Sequence, residues 1–308
     1  MQKLKSKKTA KCAVLVSSCD KYEDAWNPFF ILFAKYWPNC QYPIYLNTES
    51  KQYDFPAFEV KALNNTAISW SQRLKKALRM IDTKYIIFLL EDFFFLDNVN
   101  QKQINECMDV MNKDKSIAVI NFDRCLPSSI DYKKCPKFCQ RSLSQMYFLN
   151  CQASIWRRKD LISFLSPYED AWQFEIYGSE RAKLYNKKFL MLNKETPFPF
   201  VYNVNWITGY GLHKGKWLKS NVQLFKDNNI VVDFENLGFD VEKITITPPR
   251  VPKKVTLKER LLYLVFSGDD ICPRLSITKQ FLLLLSHPKR FLSLQKSKLI
   301  KCFSKQFY

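Results

Sequence analysis

The chain has 308 residues, 47% hydrophobic and 15% aromatic, and its 48 lysines and arginines against 29 acids give a formal charge of +19. Such apolar content supplies a buried core and excludes a disordered chain. There are only 6 glycines, with neither a Walker loop nor a GxGxxG fingerprint, so any bound nucleotide must be held by a device other than a glycine-rich phosphate cradle.

Residues 1–11 hold five lysines and no acid, and read as a basic arm. "CAVLVSS" (12–18) is a short Val/Leu-rich run before a polar turn, the pattern of a buried parallel strand. "EDAWNPFFILFAKYWPN" predicts a helix, with acids at its start and Pro38 after its end. Its Trp26, Phe29, Phe30, Phe33 and Trp37 recur at spacings of three and four and are expected in the core. "YPIYLNT" and "AFEVKAL" read as the second and third strands. In "SWSQRLKKALRMID", Ser69 and Gln72 match a capping box, and Trp70, Leu74, Ala77, Leu78 and Ile81 form an apolar stripe. A buried strand "KYIIFLL" follows, then a helix around Ile104, Met108 and Met111, and then the strand "SIAVINF". This alternation from residue 12 to about 122 predicts an α/β fold with a mostly parallel sheet and helices on both faces.

From 124 to 150 the pattern breaks into a loop and an expected strand, "QMYFLNC". "RRKDLISFL" and "DAWQFEIYGSERAKLY" read as helical, "KFLMLN" and "PFVYNVN" as strands, and "KWLKSNVQLFKDN" as a helix. Pro248, Pro249 and Pro252 mark a boundary. Beyond it "KERLLYLVF" and "ITKQFLLLLSHPKRFLSLQ" are apolar stripes with basic flanks, and residues 241–308 carry fourteen lysines and arginines against four acids. The expected organisation is a basic arm (1–11), an α/β domain (12–240) and a basic amphipathic helical region (241–308). Charge concentrated at the termini suits a polyanion, either nucleic acid or an anionic membrane; a solvated basic face is the plainer reading. No apolar run approaches the ~20 residues of a membrane-spanning helix, so a soluble or peripheral protein is expected. The ten cysteines are irregularly spaced, and the charged start does not read as a secretory signal. Cys135 and Cys139 have neither a second pair nor a nearby histidine to complete a zinc site, so reduced cysteines in a cytosolic protein are expected.

Several polar groups point to chemistry. Glu91 and Asp92 end a buried strand inside "YIIFLLEDFFFLDN", where parallel sheets place their ligands. Adjacent carboxylates there suit Mg²⁺ or Mn²⁺ bridging to a diphosphate, or else cap a helix or pair with Arg73 or Arg124. Ser17, Ser18 and Asp20, in the loop after the first strand, offer hydrogen bonds to a base or ribose, as they would to any turn. Trp172 and Glu175 lie one helical turn apart, suiting a sugar stacked on the ring beside a proton-accepting acid; an amphipathic helix with Trp in the core competes. His213, one of two histidines, is a candidate metal ligand or a plain loop residue.

Taken in order, "VSSCDKY", "WNPFFILFAKYWP", "SWSQRLKKAL", "YIIFLLEDFFF", "QASIWRRKDL" and "WQFEIYGSERA" resemble the bacterial glycosyltransferases of capsular and cell-surface polysaccharide loci, with a GT-A-type nucleotide-sugar fold. The resemblance covers about residues 12–235. It implies that Glu91 and Asp92 stand at the acidic DxD-like motif that binds a metal–diphosphate complex. Phe93 stands where the second Asp would fall, so Asp92 becomes the main candidate ligand. It further implies nucleotide contacts from Ser17, Ser18 and Asp20, flanking of the nucleotide or diphosphate by Trp70 and Arg73, and Glu175 as the acceptor-activating base beside Trp172. The implied activity is sugar transfer from a nucleotide sugar to a hydroxyl of a lipid-linked saccharide in surface-polysaccharide synthesis. Its setting would be the cytoplasmic face of the membrane, with the basic tail on anionic lipid. The alternative is a non-catalytic nucleic-acid-binding protein using charge and aromatic stacking. Against it, the charge sits at the termini and the most pointed feature of the middle is acidic, so no nucleic acid partner is expected.

Overall fold

Most of the short apolar runs become strands, and most amphipathic stretches among the described residues become covering helices. The computed structural model describes residues 10–240 except 68, 144, 146, 168, 184 and 204–209. The arm before residue 10 and the region 241–308, with its expected helices, lie outside the described residues.

The strands β1 (Cys12–Ser17), β2 (Ile44–Thr48), β3 (Val60–Asn64), β4 (Tyr85–Leu90), β5 (Ile117–Arg124), β6 (Ile130–Asp131), β7 (Phe138–Gln140), β8 (Ser154–Arg157) and β9 (Lys188–Leu192) join in one sheet. Their spatial order is β3-β2-β1-β4-β8-β5-β9-β7-β6. β1 pairs in parallel with β2 and β4, and β2 with β3. β8 enters antiparallel between β4 and β5, so β5 and its parallel neighbour β9 run in the direction of β1. The result is the mostly parallel α/β architecture expected from the sequence.

β1 is buried on both faces, and its alternation feeds two cores. Cys12, Val14 and Val16 meet Trp26, Phe29, Phe30 and Phe33 of α1 (Trp26–Tyr36) and Ile104, Cys107 and Met111 of α3 (Gln101–Lys113). Ala13 and Leu15 share the other core with Leu74, Ala77 and Leu78 of α2 (Trp70–Met80) and Leu161 and Phe164 of α4 (Arg158–Phe164). Ser69 caps α2, accepting the Gln72 N–H at 3.2 Å.

The segment holding Glu175 is interrupted rather than regular. A π-helical turn, Phe174–Gly178, lies between the α-helical segments α5 (Ala171–Gln173) and α6 (Ser179–Ala182). It is locked to the domain by a buried two-point pair, Arg181 Nη1 and Nη2 on the Glu169 oxygens at 2.5 and 2.7 Å. The Glu169 backbone exchanges hydrogen bonds with Ser71 of α2.

Three expectations change. "QMYFLNC" is a loop among the described residues: Phe148 and Leu149 are buried, but the backbone turns at Tyr147 (φ 49°) and joins no strand. Among its described residues "PFVYNVN" contributes a single bridge, Phe95 to Tyr202, and the later helix begins only at Ser220 (α7, Ser220–Asp227), after β10 (Leu212–His213) and β11 (Lys216–Trp217). The cysteines are not all reduced. Cys139 bonds Cys125, with Cα atoms 6.0 Å apart, not its sequence neighbour Cys135. Sheet pairing explains the choice: Cys125 N–H donates to Leu192 O at 2.9 Å while β7 lies antiparallel to β9, so both cysteines flank one strand.

Closing a 14-residue separation restricts the unfolded chain. Replacing Cys125 and Cys139 by serine is expected to lower unfolding free energy by roughly 2 to 3 kcal/mol. Chemical denaturation of oxidised wild type beside the double variant measures this, and coincident midpoints would refute it.

Candidate active site

β4 delivers Glu91 and Asp92 to the carboxyl edge of the sheet, and the chain turns there, with the Phe93 N–H donating to Leu90 O at 3.2 Å. Phe93, Phe94 and Phe95 are fully buried, and the backbone of 94–96 is tied to 201–203 by the Asn203 N–H on Phe94 O (3.0 Å) and the Leu96 N–H on Val201 O (2.9 Å). Both carboxylates are buried, at 7% and 6% exposure. Desolvation, followed by the charge of Asp92, holds the Glu91 carboxyl well above the usual range. Desolvation raises Asp92 to about 6, against hydrogen bonds from the backbone of Leu212 and Gly211. Asp92 Oδ2 accepts the Leu212 N–H at 3.1 Å; Oδ1 is buried without a partner. Gly211 permits this approach, since a Cβ there would stand 2.9 Å from Asp92 Cβ and O and overlap the Phe94 ring.

Beside the pair, β1 supplies Ser17, whose Oγ accepts the Trp70 indole N–H at 3.2 Å, and Ser18, whose Oγ accepts that of Trp26 at 2.7 Å and bonds Glu91. Arg73 pairs with Glu49 at 2.9 Å and keeps a buried, unpartnered Nε. The Cys19 thiol is pushed up to about 11 by burial and then by Glu91 and Glu49, with Arg73 opposing, so all three groups surround it. Asp20 is occupied structurally. Its oxygens take the N–H groups of Glu49, Ser50 and Lys51 and the Ser50 hydroxyl. Desolvation raises its pKa, but these donors prevail and lower it.

On the other side, Glu175 sits on the π turn, half-buried, with Oε1 accepting the Cys151 N–H at 2.7 Å. Desolvation leads its rise to about 7; Cys151 N–H opposes, Asp123 adds and Arg141 subtracts. Asp123 Oδ2, near the end of β5, takes Arg141 Nη2 and Asn150 Nδ2, each at 2.7 Å, and so fixes the residue beside Cys151. Gln152 bridges two phenols: Tyr202 donates to its Oε1 at 3.0 Å and its amide donates to the Tyr210 hydroxyl. After desolvation, Tyr210 is raised by the charges of Tyr202, Asp123, Glu175 and Asp92, so it stands within reach of both acidic sites. Trp172 is 69% exposed, which removes the core-packing alternative. His213 turns Nδ1 to Asp240, and its neighbour Leu212 is the residue bonded to Asp92.

The structure therefore gathers Ser17, Ser18, Trp70, Arg73, Glu91 and Asp92 at one strand edge, and Tyr210 feels the charges of both Asp92 and Glu175. Sequence reasoning missed Glu49, Asp123, Asn150, Gln152, Tyr202 and Tyr210. Glu49 just past β2 and Asp123 near the end of β5 obey the same strand-end rule that flagged Glu91, whereas the tyrosines carried no local signal. Among the described residues no three His, Cys, Asp or Glu side chains are grouped to hold a metal. The acids still fit a cation brought with a diphosphate, since Mg²⁺ uses one or two protein carboxylates beside phosphate oxygens and waters. The unpartnered Asp92 Oδ1 is a free donor for it.

No family profile and no curated protein matches the chain. Among solved structures, it is similar to S. aureus TarS (14% identity, TM-score 0.41), over 61% of this chain and 36% of that one. It is also similar to S. aureus TarS 1–349 in complex with UDP (13%, TM-score 0.41, 61% and 59%). A cytidylyltransferase from Leptospira borgpetersenii aligns at 10% identity and TM-score 0.40 over 91% and 96%. The chain thus spans between about a third and three-fifths of the TarS chains. At this level of similarity, substrate and mechanism rest on the residues themselves.

Asp92 offers a test of the geometry. Its folded pKa is raised, so the folded state holds the proton more tightly. Stability therefore falls as pH rises from about 4 through about 6, and the cost is complete above that. Asp92→Asn cannot ionise and keeps an acceptor for Leu212. It should unfold at higher denaturant than wild type at pH 8, by roughly 3 kcal/mol at about 1.4 kcal/mol per pKa unit, and converge with it below pH 4. A variant less stable at pH 8 would mean that the buried charge is compensated.

Proposed function

We propose that the protein is a nucleotide-sugar-dependent glycosyltransferase acting on a hydroxyl of a saccharide acceptor, lipid-linked, in surface-polysaccharide synthesis. One observation carries this reading: two buried carboxylates, paired with no cation among the described residues, end a central parallel strand, and a third carboxylate with a pKa near 7 shares with Asp92 the neighbourhood of the Tyr210 phenol. The first pair suits a cation–diphosphate complex, and the third suits a general base at neutral pH.

A diphosphate cannot rest against Glu91 and Asp92 without positive charge between them. Asp92 Oδ1 would hold Mg²⁺ or Mn²⁺, with Glu91 beside it. His213, oriented through Nδ1 by Asp240, would keep Nε2 for the same ion, as metal-binding histidines do. The ion would supply charge neutralisation of the departing diphosphate. Arg73 adds a fixed cation on the nucleotide side, with Ser17, Ser18 and Trp70 against base and ribose. Asp20 would serve indirectly, by fixing the loop that carries Glu49. Exposed Trp172 would stack on the acceptor sugar while Glu175 takes the acceptor hydroxyl proton. The region 241–308 would rest on the anionic inner face of the membrane, where a lipid-linked acceptor lies.

A base must be ionised to act, so transfer should rise as pH passes through about 7 and level off above. Thermal-shift measurements against a panel of nucleotide sugars, with and without Mn²⁺, identify the donor, since a bound ligand raises the melting temperature. Glu175→Gln should keep that shift and lose transfer by roughly 10² to 10⁴. No shift with any nucleotide sugar would reject the function, and full transfer by Glu175→Gln would reject the base.

A further inference from the structure

At the opposite edge, where the parallel strands begin, a groove of about 450 Å³ collects charge of the other sign. Lys11, Lys84, Arg157, Arg158 and Lys159 line it, opposed by one acid, Asp82. The clustering follows from sheet order. β1, β4 and β8 are neighbours, and backbone bonds join their ends, Lys84 N–H to Lys11 O at 3.2 Å and Arg158 N–H to Lys84 O at 3.1 Å.

A solvated basic face leaves its side chains to water, but this one is built. Arg157 Nε and Nη2 donate to the carbonyls of Ile117 (3.2 Å) and Met111 (2.8 Å). Arg158 Nε and Nη1 donate to those of Thr83 (2.6 Å) and Leu78 (3.0 Å). The guanidinium groups are thus immobilised by neutral acceptors that leave their charge standing. Counter-charge is slight: Asp82 is 3.7 Å from Arg158 and 89% exposed, and Asp160, 3.5 Å from Arg157, is shared with Lys187. Lys84 bonds Asn112, which is neutral, and Lys11 and Lys159 are exposed at the rim. Guanidinium charges held in place, beside exposed ammonium groups in a concavity of ligand size, are the chemistry of phosphate recognition.

We propose that this groove binds a soluble ligand carrying two or more phosphate groups. A membrane headgroup fits less well. The groove is recessed, and a bilayer against this edge would hold the carboxyl-edge site away from a lipid-linked acceptor. Phosphate binding by the groove is independent of the transferase reading; only the preference for a soluble ligand over a headgroup rests on it.

The test is calorimetric titration of the full chain with inorganic tripolyphosphate, for wild type and for the double variant Lys11→Glu/Lys159→Glu, whose exposed positions leave the fold intact. Wild type should show a saturable component that weakens steeply between 50 and 200 mM salt. The double variant should lose at least tenfold in that component's affinity while its melting curve and any nucleotide-sugar shift are unchanged. Superimposable titrations would place phosphate binding elsewhere and overturn the proposal, as would absence of saturation in wild type. Loss of phosphatidylglycerol-vesicle binding with tripolyphosphate affinity retained would also overturn it, in favour of a membrane contact.

Discussion

The desolvation of Glu91 and Asp92 at the end of β4 is the constraint around which the neighbouring structure is arranged. Leu89 and Phe93 are fully buried in the core shared with α1 and α3, so the carboxylates cannot retreat into water without unpacking it. Their partners among the described residues are few and neutral: the Leu212 N–H, the Gly211 backbone and the Ser18 hydroxyl. Arg73, the nearest fixed cation by its effect on Cys19, is committed to Glu49. A buried ion pair would have left the site structurally satisfied. Unpaired carboxylates cost stability, and under the proposed function an incoming cation would relieve that cost.

Glu175 is handled differently, and the contrast separates two chemical tasks. It keeps some solvent access and one strong backbone donor, and the Asp123–Arg141 pair beside it nearly balances its own charges. That leaves a proton affinity near neutrality, where a base is most useful. The π turn carries the residue, and such turns recur at functional sites because the extra residue re-aims side chains that a regular helix would align. Arg181 and Glu169 then fix the distorted segment against α2, the helix that also carries Arg73, so Arg73 and Glu175 share one rigid support.

Much of this was legible because short-range chemistry encodes it. Strand runs such as "YIIFLL" cannot be solvated, α2 announces its start through Ser69, and the strand-end rule located Glu91 and Asp92 before any coordinates. What escaped depends on sheet order. The disulfide joins Cys125 to Cys139 because both flank β9, which no spacing rule reveals. The "QMYFLNC" segment has strand composition, yet its Phe148 and Leu149 pack under the π turn and its Asn150 is captured by Asp123. Asp20 has the composition of a ligand-binding residue, but four donors from residues 49–51 had already claimed it.

The two sheet edges make one electrostatic arrangement. Acids gather where the parallel strands end, at Glu49, Glu91, Asp92 and Asp123, and fixed cations gather where β1 and β4 begin and β8 ends. An anionic donor approaching a chain of charge +19 is attracted at long range, yet meets carboxylates at the last few ångströms. Attraction of that kind raises encounter rates but does not discriminate among anions. Under the proposed function, discrimination would come from the acidic edge, which repels a bare anion and would admit one whose charge is already bridged by a cation. A phosphate-bearing molecule without a cation is left to the opposite edge. The same +19 chain can therefore sort two kinds of phosphate ligand by where its strands begin and where they end.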